Sequence, residues 1–328
     1  MENLKNRIDF VYIFDVQNGN PNGDPDAANA PRVDAEDMHG IVTDVCLKRK
    51  VRNYVQTKVA EDEKNEYQEG YDIFVKDKAV LDALVDKVYD YESVQTIKDK
   101  DKKKEEAKKK EEAKNLLCKN FFDIRTFGQV IATSGKQDQV RGPIQLTFAR
   151  SVNKITPRSL SITRCAVSKE EKNYETDEKK QKERTMGRKN IVPYGLYVCY
   201  GFISANLAKQ TGFSVKDLEL FWDALKNMFD VDRSAARGLM SAQRLIVFKH
   251  NSVLGNAPAN KLFELVKIEP KEKGRIPRSF GDYDVKIDGE MAKRYKVAID
   301  KETAKRYKVA EGENFDQENC NIKLEDLL

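Results

Sequence analysis

The stretch from Ile8 to Val16 constrains the fold of this 328-residue chain more than any other. Ile8, Phe10, Tyr12, Phe14 and Val16 fall on one side of an extended strand, and Val11 and Ile13 fall on the other. Side chains alternate across a strand, so an apolar set on both sides predicts a central strand. The run that follows, Gln17-Asn-Gly-Asn-Pro-Asn-Gly-Asp-Pro25, is turn chemistry with several positions tolerant of positive φ.

Further along, the apolar spacing predicts a helix from about Asp37 to Val59 and a second strand at Ile144, Leu146 and Phe148. A third strand is predicted over Leu196–Ala205 and a fourth over Arg244–Phe248. Between them, Ser214 caps an amphipathic helix with Leu218, Phe221, Trp222, Leu225, Met228 and Phe229 on one face. The aromatic side chains of the first strand could stack bases on an open sheet, but Ile8 and Val16 continue their face, which favours plain core. Strand, helix, strand, an interval, then strand, helix, strand is the signature of two split βαβ units. The expected class is α+β: a ferredoxin-like, RRM-like antiparallel sheet backed by two helices, in one domain over 1–328.

Two subregions interrupt that plan. Residues 60–120 read as a helical, charged insertion. Within it Lys98–Lys114 is either an exposed charged helix or a disordered segment. Residues 151–193 are basic, poor in apolar clusters and too long for a tight connection, so they are expected to project as an arm or hairpin. Residues 254–328 are left without an assignment. They contain a short tandem copy, Ala292–Ala298 repeated at Ala304–Ala310, which reads as a local duplication.

Several function classes are disfavoured early. No apolar run approaches the roughly 18 residues that span a bilayer, and the N-terminus carries no apolar leader, so a cytoplasmic, non-membrane protein is expected. Five scattered cysteines without a CxxC pair point to reduced thiols. Two histidines, His39 and His250, make imidazole-rich metal sites poor candidates, and no phosphate-loop, dinucleotide or HExxH motif is present. No catalytic residue, metal or cofactor is expected.

The net charge of +5 says little; its distribution says more. Between Lys136 and Lys189 there are fourteen Lys/Arg against seven Asp/Glu, and between Ile41 and Lys58 five against one. Two basic blocks on a near-neutral background point to a polyanion-binding face or to a solvated charged surface that meets an acidic protein. Lys48, Arg49 and Arg52 beside a turn rich in backbone donors could grip consecutive phosphates, or line a solvated helix face. Arg141-Gly-Pro143 and Thr185–Asn190 are expected to flank the arm, glycine beside arginine allowing close approach to a ligand. Met186 could wedge between bases or simply anchor the arm. Asp24, Asp26, Asp34, Glu36 and Asp37 could hold Mg²⁺ for phosphodiester cleavage, although turn formation and helix capping explain them more economically.

Five motifs occur in order: Asn18–Pro25, Pro31-Arg-Val-Asp34, Asp44–Asn53, Val192–Tyr197 and Asp232–Met240. Together they resemble the Cas-seven family of the RAMP superfamily, the backbone subunits of type I-C Cascade. The resemblance covers roughly Asp9–Tyr54 and Phe121–Gly255. It implies a palm, helical fingers and a thumb hairpin, in copies that polymerise head to tail along a CRISPR guide RNA beside other Cascade subunits. Bases of the guide would then pair with target DNA, while the protein senses backbone and shape. Carried onto this chain, palm contacts fall on Thr43, Lys48, Arg49 and Arg52 with Asn18 and Arg32 nearby, and thumb contacts on Arg164, Met186, Arg188 and Lys189. Arg233 and Arg237 are added between helix and last strand. The superfamily also contains metal-dependent ribonucleases, for which Asp34 or Asp24 would be the catalytic candidate.

Overall fold

The computed structural model describes residues 2–63, 67, 69–133, 136–165, 171–172, 179–180 and 185–299. The second copy of the tandem repeat, Cys320 and most of the arm beyond Cys165 lie outside them. In chain order the principal elements are β1 (Ile8–Gly19), β2 (His39–Val42), α1 (Asp44–Ala60), α2 (Leu81–Tyr89), α3 (Lys102–Asn120), α4 (Phe122–Phe127) and β3 (Ile144–Leu146). They continue with β4 (Ala149–Lys154), β5 (Arg158–Arg164), β6 (Thr185–Ile203), α5 (Val215–Val231) and β7 (Leu239–Lys249).

The architecture is α+β around one large antiparallel sheet. β1 lies at its centre, paired with β6 on one side and β7 on the other. β6 also pairs with β3, β4 and β5, and β2 closes the edge beyond β4. The long β6 is continuous because Val192, Tyr194, Leu196 and their neighbours satisfy both faces of the sheet. Helix α1 begins at Asp44, seven residues later than the periodicity predicts. Met38 sits at φ +63°, which ends any helical start, and His39–Val42 pairs with β4 instead. The second strand stops at Leu146, leaving Phe148 exposed.

One face of β1 is packed as expected: Phe10, Tyr12 and Phe14 are buried under α1 and α5, and Tyr12 Oη donates to Leu225 O at 2.6 Å. These aromatic rings are core. α5 starts at a capping box in which Ser214 and Asp217 satisfy each other's backbone N–H groups.

The other face reveals the role of the C-terminal region. Val11, Ile13, Tyr194, Leu196, Ile246 and Phe248 are covered by Leu262, Leu265, Tyr283 and Val297, so residues 257–299 form a second cover layer. An RRM-type open sheet face is therefore absent among the described residues. The inserted helices carry a third cluster, with Phe74, Val85, Val88, Leu117 and Phe121 buried together. Lys102–Asn120 is helical: Asp101 caps it, Glu105–Lys109 and Glu106–Lys110 pair one turn apart, and Ala113, Leu117 and Cys118 bury its last turns. Among the described residues no helix is long and apolar enough to cross a membrane.

Candidate nucleic-acid interface

One end of the sheet gathers most of the expected contact residues. β1 ends at Gly19, which pairs with Val192, so the β5–β6 hairpin leaves the sheet directly beside the Asn18 turn. Leu239 pairs with Gln17, which brings Arg237 to the same end. The approach is close: a Cβ on Gly19 would lie 1.8 Å from Arg237 O, so only glycine fits. Asn18 is exposed at φ +49°, a conformation asparagine tolerates.

The turn is also tied to α1. Asn22 Oδ1 accepts from both the backbone N–H and the hydroxyl of Thr43, each at 3.0 Å, while Thr43 Oγ1 accepts from Cys46 N–H. Thr43 is thus the N-cap of α1, and its side chain holds turn and helix together. Arg49 stands on the exposed side of α1, roughly 9 Å along the axis from that cap at 1.5 Å per residue.

Ion pairing divides the expected cations into two groups. Arg52 is buried, with Nε 2.7 Å from Asp123 Oδ2, and its guanidinium packs on the Phe127 ring. Its Nε is committed to an internal ion pair with Asp123, so the expected palm contact falls on a largely buried guanidinium that already holds the fold together. Lys48 is largely covered, bonded to Asp44 at 2.9 Å and resting on the same ring. Asp232 draws in both the buried Lys50 and, at 3.0 Å, Arg237. Arg233 pairs with Asp230 at the surface, and Arg32 with Asp24 at 3.4 Å. By contrast, Arg49, Arg141, Arg188 and Lys189 make no ion pair among the described residues.

Arg141 does not flank the arm. Pro143 O accepts from Ser204 N–H, and Ile144 pairs with Ile203, which pairs with Ile8. That places Arg141 toward the opposite end of β1 from Asn18. The sequence neighbourhood misleads here because the chain traverses the sheet between Arg141 and the hairpin.

In the hairpin, Met186 pairs with Thr163 and Arg188 with Ser161, while Gly187 pairs with Ile162 and Lys189 with Leu160. Cross-strand partners share a face and successive residues alternate. Met186 and Arg188 therefore lie on one face, and Lys189 lies on the other with Leu160, Ile162 and Arg164. Met186 is 73% exposed and Ile162 52%, so neither face is covered. Leu160, Ile162 and the half-buried Lys189 form an apolar-and-basic strip that residue type alone did not reveal.

The acidic cluster serves the scaffold. Arg150 bonds Asp34 at 3.0 Å and Asp37 at 2.5 Å, bridging the loop to β4. The Glu36 N–H and then Arg150 hold the Asp34 carboxyl below its ordinary range. Asp24 accepts from Asp26 N–H and faces Arg32. Among the described residues no group of three or more His, Cys, Asp or Glu is placed to hold a metal ion. His39 Nδ1 donates to Ser151 O at 2.6 Å, and His250 bridges Asp9 and the Asn256 N–H, so both histidines brace loops.

The family model described as CRISPR-associated protein Cas7 matches residues 6–288. A curated CRISPR-associated protein Cas7 of Haloferax volcanii is 25% identical over 258 residues, which are 68% of this chain and 65% of that protein. The match thus spans less than two thirds of that relative's length. Among solved structures, a chain of a CRISPR RNA-guided surveillance complex aligns at 13% identity and TM-score 0.41, covering 74% of this chain and 68% of its own. A chain of such a complex in a pre-nicking state aligns at 14% identity and TM-score 0.43, covering 74% and 78%.

Proposed function

The chain belongs to the CRISPR-associated Cas7 family, and from that premise we propose that it is a non-enzymatic, guide-RNA-binding backbone subunit of a type I CRISPR interference complex. In this reading the four principal strands, in the order β7, β1, β6 and β3/β4, are a ferredoxin-like palm, residues 60–120 are fingers and the β5–β6 hairpin is a thumb. Copies associate head to tail along the guide in the cytoplasm, with other Cascade subunits at the ends. The subtype is type I-C, and target DNA meets the particle through the guide's exposed bases.

One observation carries the reading. Both faces of the sheet are covered, yet its Asn18 end keeps the exposed Asn18 beside an exposed basic hairpin, with the N-cap of α1 tied to the same turn through Asn22. A polyanion can follow that end without opening the core. Contacts to phosphate carry no sequence information, as a subunit repeating along a guide requires. Of the expected palm contacts, the exposed Arg49 is kept and the buried Arg52 set aside, with Asn18, Arg32 and Arg237 at the turn and Arg164, Met186, Arg188 and Lys189 on the arm.

The test is the native mass of the purified particle before and after ribonuclease. A mass of several copies plus RNA that collapses on digestion is expected. A nucleic-acid-free monomer whose mass is unchanged by ribonuclease overturns the reading and favours a protein partner. The ribonuclease alternative predicts cleavage of complementary RNA in Mg²⁺ that is lost in Asp34→Ala, and the engagement of Asp34 by Arg150 speaks against it.

A further inference from the structure

A charged side chain is buried where an apolar one would pack. Lys50, in the middle of α1, is 2% exposed; its ammonium lies over the Phe229 ring and pairs with Asp232 at the C-cap of α5. Taking an ammonium and a carboxylate out of water costs more than burying an apolar residue of similar length, so stability alone does not account for the pair. The carboxylate has a second partner. Lys50 takes Asp232 Oδ2, while Asp232 Oδ1 lies 3.0 Å from Arg237 Nη1. One carboxylate is therefore shared between a buried cation and a cation at the surface. The Arg237 side chain is 33% exposed, and its remaining guanidinium nitrogens make no bond among the described residues and are not sealed from solvent.

The triad adjoins the Asn18 turn. Asn20 N–H donates to Ala236 O at 2.8 Å, which ties the residue before Arg237 to the chain leaving β1. Cys46, one turn before Lys50 on α1, donates its Sγ–H to Pro21 O. Burial raises the Cys46 thiol above its ordinary value; the charges of Lys50, Arg237 and Arg32 act against that rise, and Asp232 adds to it. Three cations and one carboxylate thus act on one position between α1 and the turn.

We propose that Lys50 is a positioning residue, which through Asp232 holds Arg237 at the turn as a net-positive seat for a backbone phosphate of nucleic acid. The inference rests on the guide-RNA reading above and deepens it. Asp232 alone would fix Arg237 in place but cancel its charge, and a phosphate would have to compete with the carboxylate. With Lys50 on the other oxygen, two cations and one anion leave +1, and the pull of the carboxylate is divided. Lys50 is too deeply buried to meet the phosphate and acts only through the charge it adds. The guanidinium stays oriented and keeps its attraction for an anion.

The test is a salt series of RNA affinity for the full chain, comparing the wild type with Arg237→Ala, Lys50→Met and the double variant Lys50→Met/Asp232→Asn. Loss of one phosphate contact flattens the slope of log affinity against log salt by about one per engaged subunit. Arg237→Ala should show that loss. Lys50→Met should show the same loss with Arg237 still present, because Asp232 then neutralises it. The double variant removes both charges and should return to the wild-type slope, a recovery that a merely structural lysine would not give. If Lys50→Met keeps the wild-type slope while Arg237→Ala loses it, the inference fails. It also fails if Arg237→Ala leaves the slope unchanged, and the guide-RNA reading then stands on the remaining cations. Should Lys50→Met not fold, the double variant decides: a wild-type slope supports the inference and a flattened one overturns it. If the wild type binds no RNA, both readings fail.

Discussion

Arg52 Nε donates to Asp123 Oδ2 at 2.7 Å, and the two oxygens of that carboxylate also accept from the backbone N–H groups of Phe74 and Val75. The pair joins α1 to α4 across 71 residues of chain, and Phe74 and Val75 bring the insertion to the same carboxylate. It anchors that insertion to the sheet domain, beside a second buried pair formed by Arg125 and Asp217.

Removing one partner leaves an uncompensated buried charge. Arg52→Ala and Asp123→Ala should each lower stability by about 3–5 kcal/mol. Urea unfolding of the two single variants checks this, and a change below about 1 kcal/mol in either contradicts the assignment.

Arg49→Ala should do the opposite. Its side chain is exposed and makes no ion pair among the described residues, so stability should move by less than about 0.5 kcal/mol. RNA affinity should fall, and the slope of log affinity against log salt should flatten by about one per engaged subunit. Binding titrations over a salt series read both quantities.

Arg188 and Lys189 point to opposite faces of the hairpin. A strand of RNA lying along one face meets one of them. Of the variants Arg188→Ala and Lys189→Ala, one should flatten the salt slope and the other should leave it near the wild-type value. Equal losses in both would mean that the hairpin is enclosed by RNA or twisted out of the observed register.

Gly19→Ala places a methyl against Arg237 O and must separate β1 from the segment entering β7. A loss of about 1–3 kcal/mol in stability is expected. RNA affinity should fall with it, because Asn18 and Arg237 share that contact.

Burial pushes the Cys199 thiol from an ordinary value of 9.0 up to about 12, with its Sγ–H donating to Thr147 O. A folded-state value raised above the unfolded one stabilises the fold fully below about pH 9, and that stabilisation is lost as pH rises toward 12. The slope approaches about 1.4 kcal/mol per pH unit for one proton. Urea melts taken above pH 9 should show a shallower decline in Cys199→Ala than in the wild type. An unchanged slope would mean that the thiol is accessible to solvent.

Some of this was legible in the residues themselves. The alternation of Phe10, Tyr12 and Phe14 against Val11 and Ile13 required cover on both sides of β1, and both covers exist. Ser214 and the apolar stripe of α5 were equally plain, because capping and periodicity are local. The second cover layer was not legible: Leu262, Leu265 and Tyr283 lie on short elements whose apolar residues are isolated in the chain and adjacent only in space.

Local chemistry along the chain thus determined a two-faced central strand, the helices of one layer, a turn built for close approach and two basic blocks. Tertiary structure alone decided which basic residues face solvent. A guanidinium is buried or exposed according to whether a carboxylate arrives from elsewhere, and Asp123 reaches Arg52 and Asp232 reaches Lys50 from 71 and 182 residues away. Charge is a property of the residue; its availability to a phosphate is a property of the packing, because desolvation and pairing depend on neighbours that only the folded chain supplies.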